Sequence, residues 1–202
     1  MAESMKIGVL ALQGDVSEHI SALESSFRHL KVGGEAVEVR RPGQLEGISG
    51  LLMPGGESTT MAKQIDRFGL RDPIVEFGRS GHPIMGTCAG SILLAREILG
   101  QKAPGEVKPL GLIDMTVRRN AFGRQAESFE RLLSIEGLDR EFPGVFIRAP
   151  RIVDIGKDVH SLSRLGSEQV MVRQGNTLAL TFHPELASDC RVHSMFLESI
   201  TF

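Results

Sequence analysis

Met85-Gly-Thr-Cys-Ala-Gly90 places one of the two cysteines of the 202-residue chain at the centre of a G-x-C-x-G pattern. The pattern stands at the join between an apolar run, Pro83 to Gly86, that reads as a buried strand and a segment, Ser91 to Ile98, that reads as a helix. This is the form of a nucleophile elbow, where small residues flank a side chain held on a tight turn and a β-carbon in their place would clash with strand and helix. A thiol at a helix amino terminus also feels the positive end of the dipole, which favours the reactive thiolate. Alone, Cys88 would read as a small buried hydrophobe. The flanking glycines and the strand-to-helix break make it a candidate nucleophile.

A cysteine nucleophile needs a base. His183 follows the apolar run Leu178 to Phe182 and precedes Pro184 and Glu185, which places it at the carboxyl end of a strand, the edge where α/β sheets assemble their sites. Glu185, two residues on, can accept the other imidazole N–H and fix its tautomer, so Cys88, His183 and Glu185 form a candidate catalytic triad. Acyl transfer also needs donors for a developing oxyanion. Pro54-Gly-Gly-Glu-Ser58 lies just beyond another apolar run and offers glycine amides, with the amide of Ala89 as the second donor.

The elements that must carry these residues follow from the hydrophobic pattern. Met5 to Leu12 is a strand closed by Gln13-Gly14-Asp15, and Val16, Ile20, Leu23 and Phe27 recur at helical spacing. Strands at Ala36–Val39 and Gly50–Met53, helices at Ser58–Phe68 and after Asp72-Pro73, and the Cys88 region complete an alternation that implies a parallel sheet covered on both faces. Beyond Gly111, runs at 112–117, 145–147, 152–155, 170–172 and 178–182 read as mixed or antiparallel strands added to that core, and 189–200 reads as a closing helix. The expected fold is α/β, a flavodoxin-like three-layer sandwich, in a single domain over 1–202.

Composition narrows the function classes. A formal charge of −2 gives no basic face for nucleic acid or an anionic membrane. Two cysteines outside any C-x-x-C pattern suit neither a disulfide framework nor a zinc site. No apolar run approaches the ~20 residues of a membrane helix, and the expectation is a cytoplasmic protein without metal or organic cofactor.

Taken together, Pro54 to Thr60, Gly86 to Gly90 and Phe182 to Glu185 resemble the class I, triad-type glutamine amidotransferases. Leu10-Ala-Leu-Gln-Gly14, Arg119 to Gln125, Ser128-Phe-Glu130 and Phe146-Ile-Arg-Ala-Pro150 are similar to the signature segments of the glutaminase subunit of pyridoxal phosphate synthase, and the likeness runs from Ile7 to Phe196. The resemblance implies hydrolysis of L-glutamine to glutamate, with ammonia passed to a (β/α)₈-barrel synthase subunit in a large heteromeric complex. It implies Cys88 as nucleophile, His183 as base and acid, and Glu185 as orienting partner. Gly55, Gly56, Glu57, Arg119, Ile147 and Arg148 are implied as glutamine contacts, Gly56 and Ala89 as the oxyanion hole, and Gln13 as a residue near the site and the partner interface. An arginine suits a substrate that carries a fixed carboxylate.

Two other readings stay open: a cysteine peptidase or DJ-1-like hydrolase, which shares such a sheet and elbow, and a non-catalytic assembly subunit. Cys190 reads as a structural thiol, and the helices are expected to place His19 and His29 away from the active edge. The stretch Gln101–Pro109 reads as a longer loop than the family pattern, and Arg118 stands where an acidic residue is common.

Overall fold

The computed structural model describes residues 5–103, 105–119 and 128–200. Its first half is the expected alternation of β1 (Met5–Leu10), α1 (Val16–Leu30), β2 (Gly34–Val39), β3 (Gly50–Met53), α2 (Ser58–Arg67), α3 (Arg71–Arg79), β4 (Ile84–Thr87) and α4 (Ala89–Leu94). The strands lie in the order β2-β1-β3-β4 and pair in parallel throughout, because each helical crossover returns the chain in the same direction.

The second half runs through β5 (Ala95–Leu99), β6 (Ile113–Arg118), β7 (Phe129–Leu133), β8 (Phe142–Phe146), β9 (Arg151–Ile155), β10 (His160–Leu165), β11 (Glu168–Gln174), β12 (Thr177–Leu180) and α5 (Arg191–Glu198). β12 lies parallel to β4 and continues the core. From there the sheet extends as β11-β9-β6-β5, with β10 beside β11 and the β12–β11, β11–β9 and β9–β6 pairs antiparallel. β7 and β8 form a separate antiparallel pair. A parallel core with antiparallel strands added is thus the architecture.

The central strands are buried on both faces and alternate between two apolar clusters. Leu51, Met53 and Ile84 pack with Met61, Ile65 and Phe77 from α2 and α3, whereas Leu52 and Met85 pack with Leu23 and Phe27 of α1 and Val192 and Phe196 of α5. The period of two along the strands therefore sorts the helices into outer layers. Among the described residues no helix is long and apolar enough to cross a membrane.

Three expectations are corrected. The helix expected over 91–98 stops at Leu94: Ala95 turns extended (φ −61°, ψ 158°) and leads into β5, parallel to β6. Its composition suits a helix, but pairing with β6 and contacts from Arg96 to Asp114 and Thr116 decide the outcome. The strand expected at 145–147 begins earlier, at Phe142, and ends at Phe146. β7 and β10 were not anticipated, since each mixes charged and small polar residues with its apolar ones.

Candidate active site

Four neighbouring parallel strands, β1, β3, β4 and β12, end at one edge of the sheet. Their carboxyl ends deliver Gln13 to Asp15, Pro54 to Glu57, Cys88, and His183 to Glu185 respectively.

Cys88 extends the ladder for one more bond, its N–H donating to the Leu180 carbonyl at 2.8 Å, before the chain turns into α4. The turn costs it a left-handed backbone (φ 45°, ψ −101°), unusual for a residue with a β-carbon. The flanking glycines are sterically required: a Cβ on Gly90 would overlap the Met53 carbonyl oxygen of β3, and one on Gly86 would meet Leu94 Cδ1 at 2.6 Å. Cys88 is 7% exposed, with the Ile147 carbonyl oxygen 3.9 Å from its sulfur.

His183 stands beside Cys88 on one side and is hydrogen-bonded to Glu185 on the other, where Nδ1 and Oε1 are 2.7 Å apart. Burial disfavours the charged ring, but these two partners outweigh it and raise the imidazole pKa to about 10. The surroundings therefore favour the protonated ring beside the sulfur. Burial raises the Glu185 carboxyl, against the hydrogen bond from His183. A second carboxylate oxygen, Oδ2 of Asp15, lies 3.5 Å from the same Nδ1.

Asp15, His183 and Glu185 also form the one group among the described residues with metal-ligand spacing, their ligand-type atoms lying within 4.8 Å of one another. Both carboxylates face one nitrogen that already donates to Glu185, so a cation there would take the atom that orients the base.

The Gly55–Gly56 loop packs directly on this group. A Cβ on Gly55 would come within 2.5 Å of His183 Cε1, and one on Gly56 (φ 144°) within 2.5 Å of Gln13 Oε1. Gln13 Oε1 accepts from the Glu57 N–H at 2.7 Å, fastening the loop to the β1–α1 turn. Among the described residues the Gly56 N–H has no acceptor, and Ala89 is the first residue of α4. Both are candidate oxyanion donors.

The Glu57 carboxylate turns back onto its own helix. It accepts from the amides of Thr59 (3.0 Å) and Thr60 (2.7 Å) as the N-cap of α2. Partial burial opposes the charge, but these bonds hold the carboxyl down at about 2. Since the folded pKa is depressed, the cap stabilises fully above the ordinary value of 4.5 and is lost as pH falls through about 2. Because the side chain is more than half exposed, Glu57→Ala is expected to lower unfolding free energy by no more than about 1 kcal/mol at neutral pH. Urea unfolding at pH 7 and pH 2 checks this, most of the difference being gone at the lower pH.

Arg119 donates to Thr59 Oγ1 (2.9 Å) and lies 3.5 Å from Glu57 and 3.3 Å from Glu106 of the Gln101–Pro109 loop. The guanidinium thus stands at the amino end of α2, tied to that loop. The rest of its motif, 120–125, lies outside the described residues. Ile147 is half-buried beside Cys88. Arg148 is exposed with a left-handed backbone (φ 46°), and among the described residues its guanidinium has no ion pair. Every expected site residue with described coordinates therefore gathers at this edge or its rim.

Three residues were missed. Asp15 ends the turn after β1, just before α1, so its position at the active edge was available from the sequence. His19 is fully buried in the first turn of α1, with Nε2 3.3 Å from Glu185 Oε2, which corrects the expectation that it lies away from the site. His193 of α5 reaches His19 at 3.0 Å. Sequence spacing carries no sign of that long-range contact.

The chain is 52% identical over 194 residues to a pyridoxal 5'-phosphate synthase subunit PdxT of Methanothrix thermoacetophila, covering 96% of this chain and 99% of that one. It is 52% identical over 196 residues to the subunit of the same name from Geobacillus kaustophilus, covering 97% and 95%. A crystal structure of a glutamine amidotransferase superposes with a TM-score of 0.86 at 47% identity, over 97% of this chain and 99% of that one. Residues 9–201 match the SNO glutamine amidotransferase family, and the chain belongs to that family.

Proposed function

We propose that the chain is a single glutaminase domain that hydrolyses L-glutamine through a Cys88–His183–Glu185 triad and hands the ammonia to a pyridoxal 5'-phosphate synthase subunit. The observation that carries the reading is Cys88 held on a left-handed turn at the end of β4, beside an imidazole whose far nitrogen is fixed by a buried carboxylate.

The thiolate of Cys88 attacks the side-chain amide carbon of glutamine, forming the C–S bond and placing charge on the amide oxygen, where the Gly56 and Ala89 N–H groups receive it. His183 donates its proton to the leaving nitrogen, the C–N bond breaks, and ammonia departs from a glutamyl thioester. The now neutral His183 takes a proton from water as it attacks the thioester carbon, the C–S bond breaks, and glutamate leaves with Cys88 and His183 ready for another turnover. Glu185 holds the ring through both proton transfers.

Arg148, exposed beside Ile147 and without an ion pair among the described residues, is suited to the α-carboxylate of glutamine, as is Arg119 beside Glu57. The names of the relatives support the synthase as partner. The reading includes a (β/α)₈ barrel as that subunit, a heteromeric assembly and a cytoplasmic setting. The intact triad favours it over an assembly-only subunit, and labelling of Cys88 by a glutamine-mimicking electrophile separates it from a peptidase-like hydrolase.

The test is glutamate release by the chain with and without a synthase subunit. The expected result is hydrolysis that rises at least about tenfold when the partner docks and orients the Gly55–Gly56 loop. Equal rates would refute the partner dependence, and no release in either case would refute the glutaminase reading.

A further inference from the structure

Behind Glu185 lies a buried polar chain that the mechanism above does not use. His19 Nε2 stands 3.3 Å from Glu185 Oε2 and 3.1 Å from Oγ1 of Thr87, the residue before the nucleophile. Its Nδ1 stands 3.0 Å from His193 Nε2. The His19 and His193 side chains are fully buried, so each polar atom must find its partner inside the protein.

The protonation pattern follows from what each atom can do. A carboxylate oxygen only accepts, so His19 Nε2 must carry a proton to serve Glu185. Burial, then the nearby His193 and His183, push the His19 pKa well below its ordinary value, and burial takes His193 to about 3, so both rings are neutral. With its one proton on Nε2, His19 must accept at Nδ1, and His193 must donate from Nε2. That leaves His193 Nδ1 bare, in agreement with its lack of any partner among the described residues, since an unpaired acceptor costs less than an unpaired N–H. The donors then run from His193 to His19, whose Nε2–H is hydrogen-bonded to Thr87 Oγ1 at 3.1 Å and faces Glu185 Oε2 at 3.3 Å.

We propose that His19 is a positioning residue for the triad. Its Nε2–H faces Glu185 Oε2 at 3.3 Å, an attraction that holds the carboxylate with Oε1 toward His183, while its hydrogen bond with Thr87 Oγ1 ties the end of β4 that carries Cys88 to the turn that carries His183. His193 fixes the tautomer that this requires. Among the described residues Oε2 is a buried carboxylate oxygen without a hydrogen bond of good geometry, so the His19 contact at 3.3 Å is what faces it, and without that contact the carboxylate is free to turn from His183 toward other donors. Asp15 faces the same His183 nitrogen from the other side. It then competes for the ring and tilts it away from the sulfur.

The inference rests on the glutaminase reading of the triad, so its test has a readout that needs no glutamine. The complete chain is compared with its H19L, H19Q and H19N variants. One measurement is the pH profile of Cys88 alkylation by iodoacetamide, followed by the mass of the Cys88 peptide. The other is kcat and KM for glutamine with the synthase subunit bound.

Glutamine places an amide N–H where Nε2 stands, and asparagine places it where Nδ1 stands. H19L and H19N are expected to lower kcat about 10- to 100-fold, the span found for outer-shell partners of metal-bound histidines, with KM nearly unchanged and the alkylation profile displaced. H19Q is expected to recover most of the loss. A wild-type kcat and profile in H19L would overturn the proposal, as would equal impairment of H19Q and H19N, the result expected of a mere packing role. If H19L does not fold, the contrast between H19Q and H19N decides. If the wild-type complex hydrolyses no glutamine, the functional reading fails and the alkylation profiles still decide for His19.

Discussion

Cys88→Ala is expected to remove glutaminase activity, by at least about 10⁴-fold, because the covalent step has no other nucleophile and triad members act as a unit. The fold should survive. Alanine has no branch to clash at φ 45°, and loss of one largely buried sulfur costs on the order of 1 kcal/mol. The variant should still bind the synthase subunit, since the change lies under the surface. It also carries a signature inside the site. The His183 pKa of about 10 reflects burial, which lowers it, outweighed by the neighbouring Cys88 and Glu185, which raise it. Removing the sulfur should bring it down, measurable by NMR titration of the imidazole. Glutamate release above about 1% of wild type would move the nucleophile elsewhere.

How much of this site was readable from the chain depends on how each residue is encoded. Cys88, His183 and the Gly55–Gly56 loop sit where an apolar run meets a turn, and the pattern fixes both the strand and its carboxyl end. Their convergence follows from β1, β3, β4 and β12 being adjacent and parallel. Asp15 obeys the same rule but has no motif around it. His19 was misplaced because a helix was treated as lying wholly away from the edge, whereas its first turn leaves directly from the end of β1. His193 could not be found locally, since it comes from the other end of the chain and meets His19 only when α1 and α5 pack on one face.

The same division holds for the fold. Strands buried on both faces, such as Gly50–Met53, are continuous apolar runs and were placed correctly. Residues 95–99 are good helix formers and became a strand because β6 offered a parallel partner. Partner strands, not the local sequence, also make strands of the half-polar β7 and β10.

Gly14→Ala tests whether the Gly55–Gly56 loop stabilises the oxyanion, and it does so from outside that loop. Gly14 is exposed and no core residue depends on it, yet it has a left-handed φ of 103°, and an added Cβ would overlap the Gly55 carbonyl oxygen. The loop cannot yield toward the triad, because Gly55 already lies against His183 Cε1, nor settle onto Gln13, which fills the space beside Gly56. It must move outward and take the Gly56 amide away from the position where charge develops. Loss of one such donor lowers kcat about 10²- to 10³-fold, and the strained backbone lowers stability by roughly 1–3 kcal/mol. The triad beneath stays in place, so iodoacetamide should alkylate Cys88 at close to the wild-type rate. A loss of turnover with the thiol still reactive assigns the loop to the transition state. If kcat falls by less than about tenfold in a folded G14A variant, the oxyanion must be held by other donors, with the Ala89 amide the first to consider.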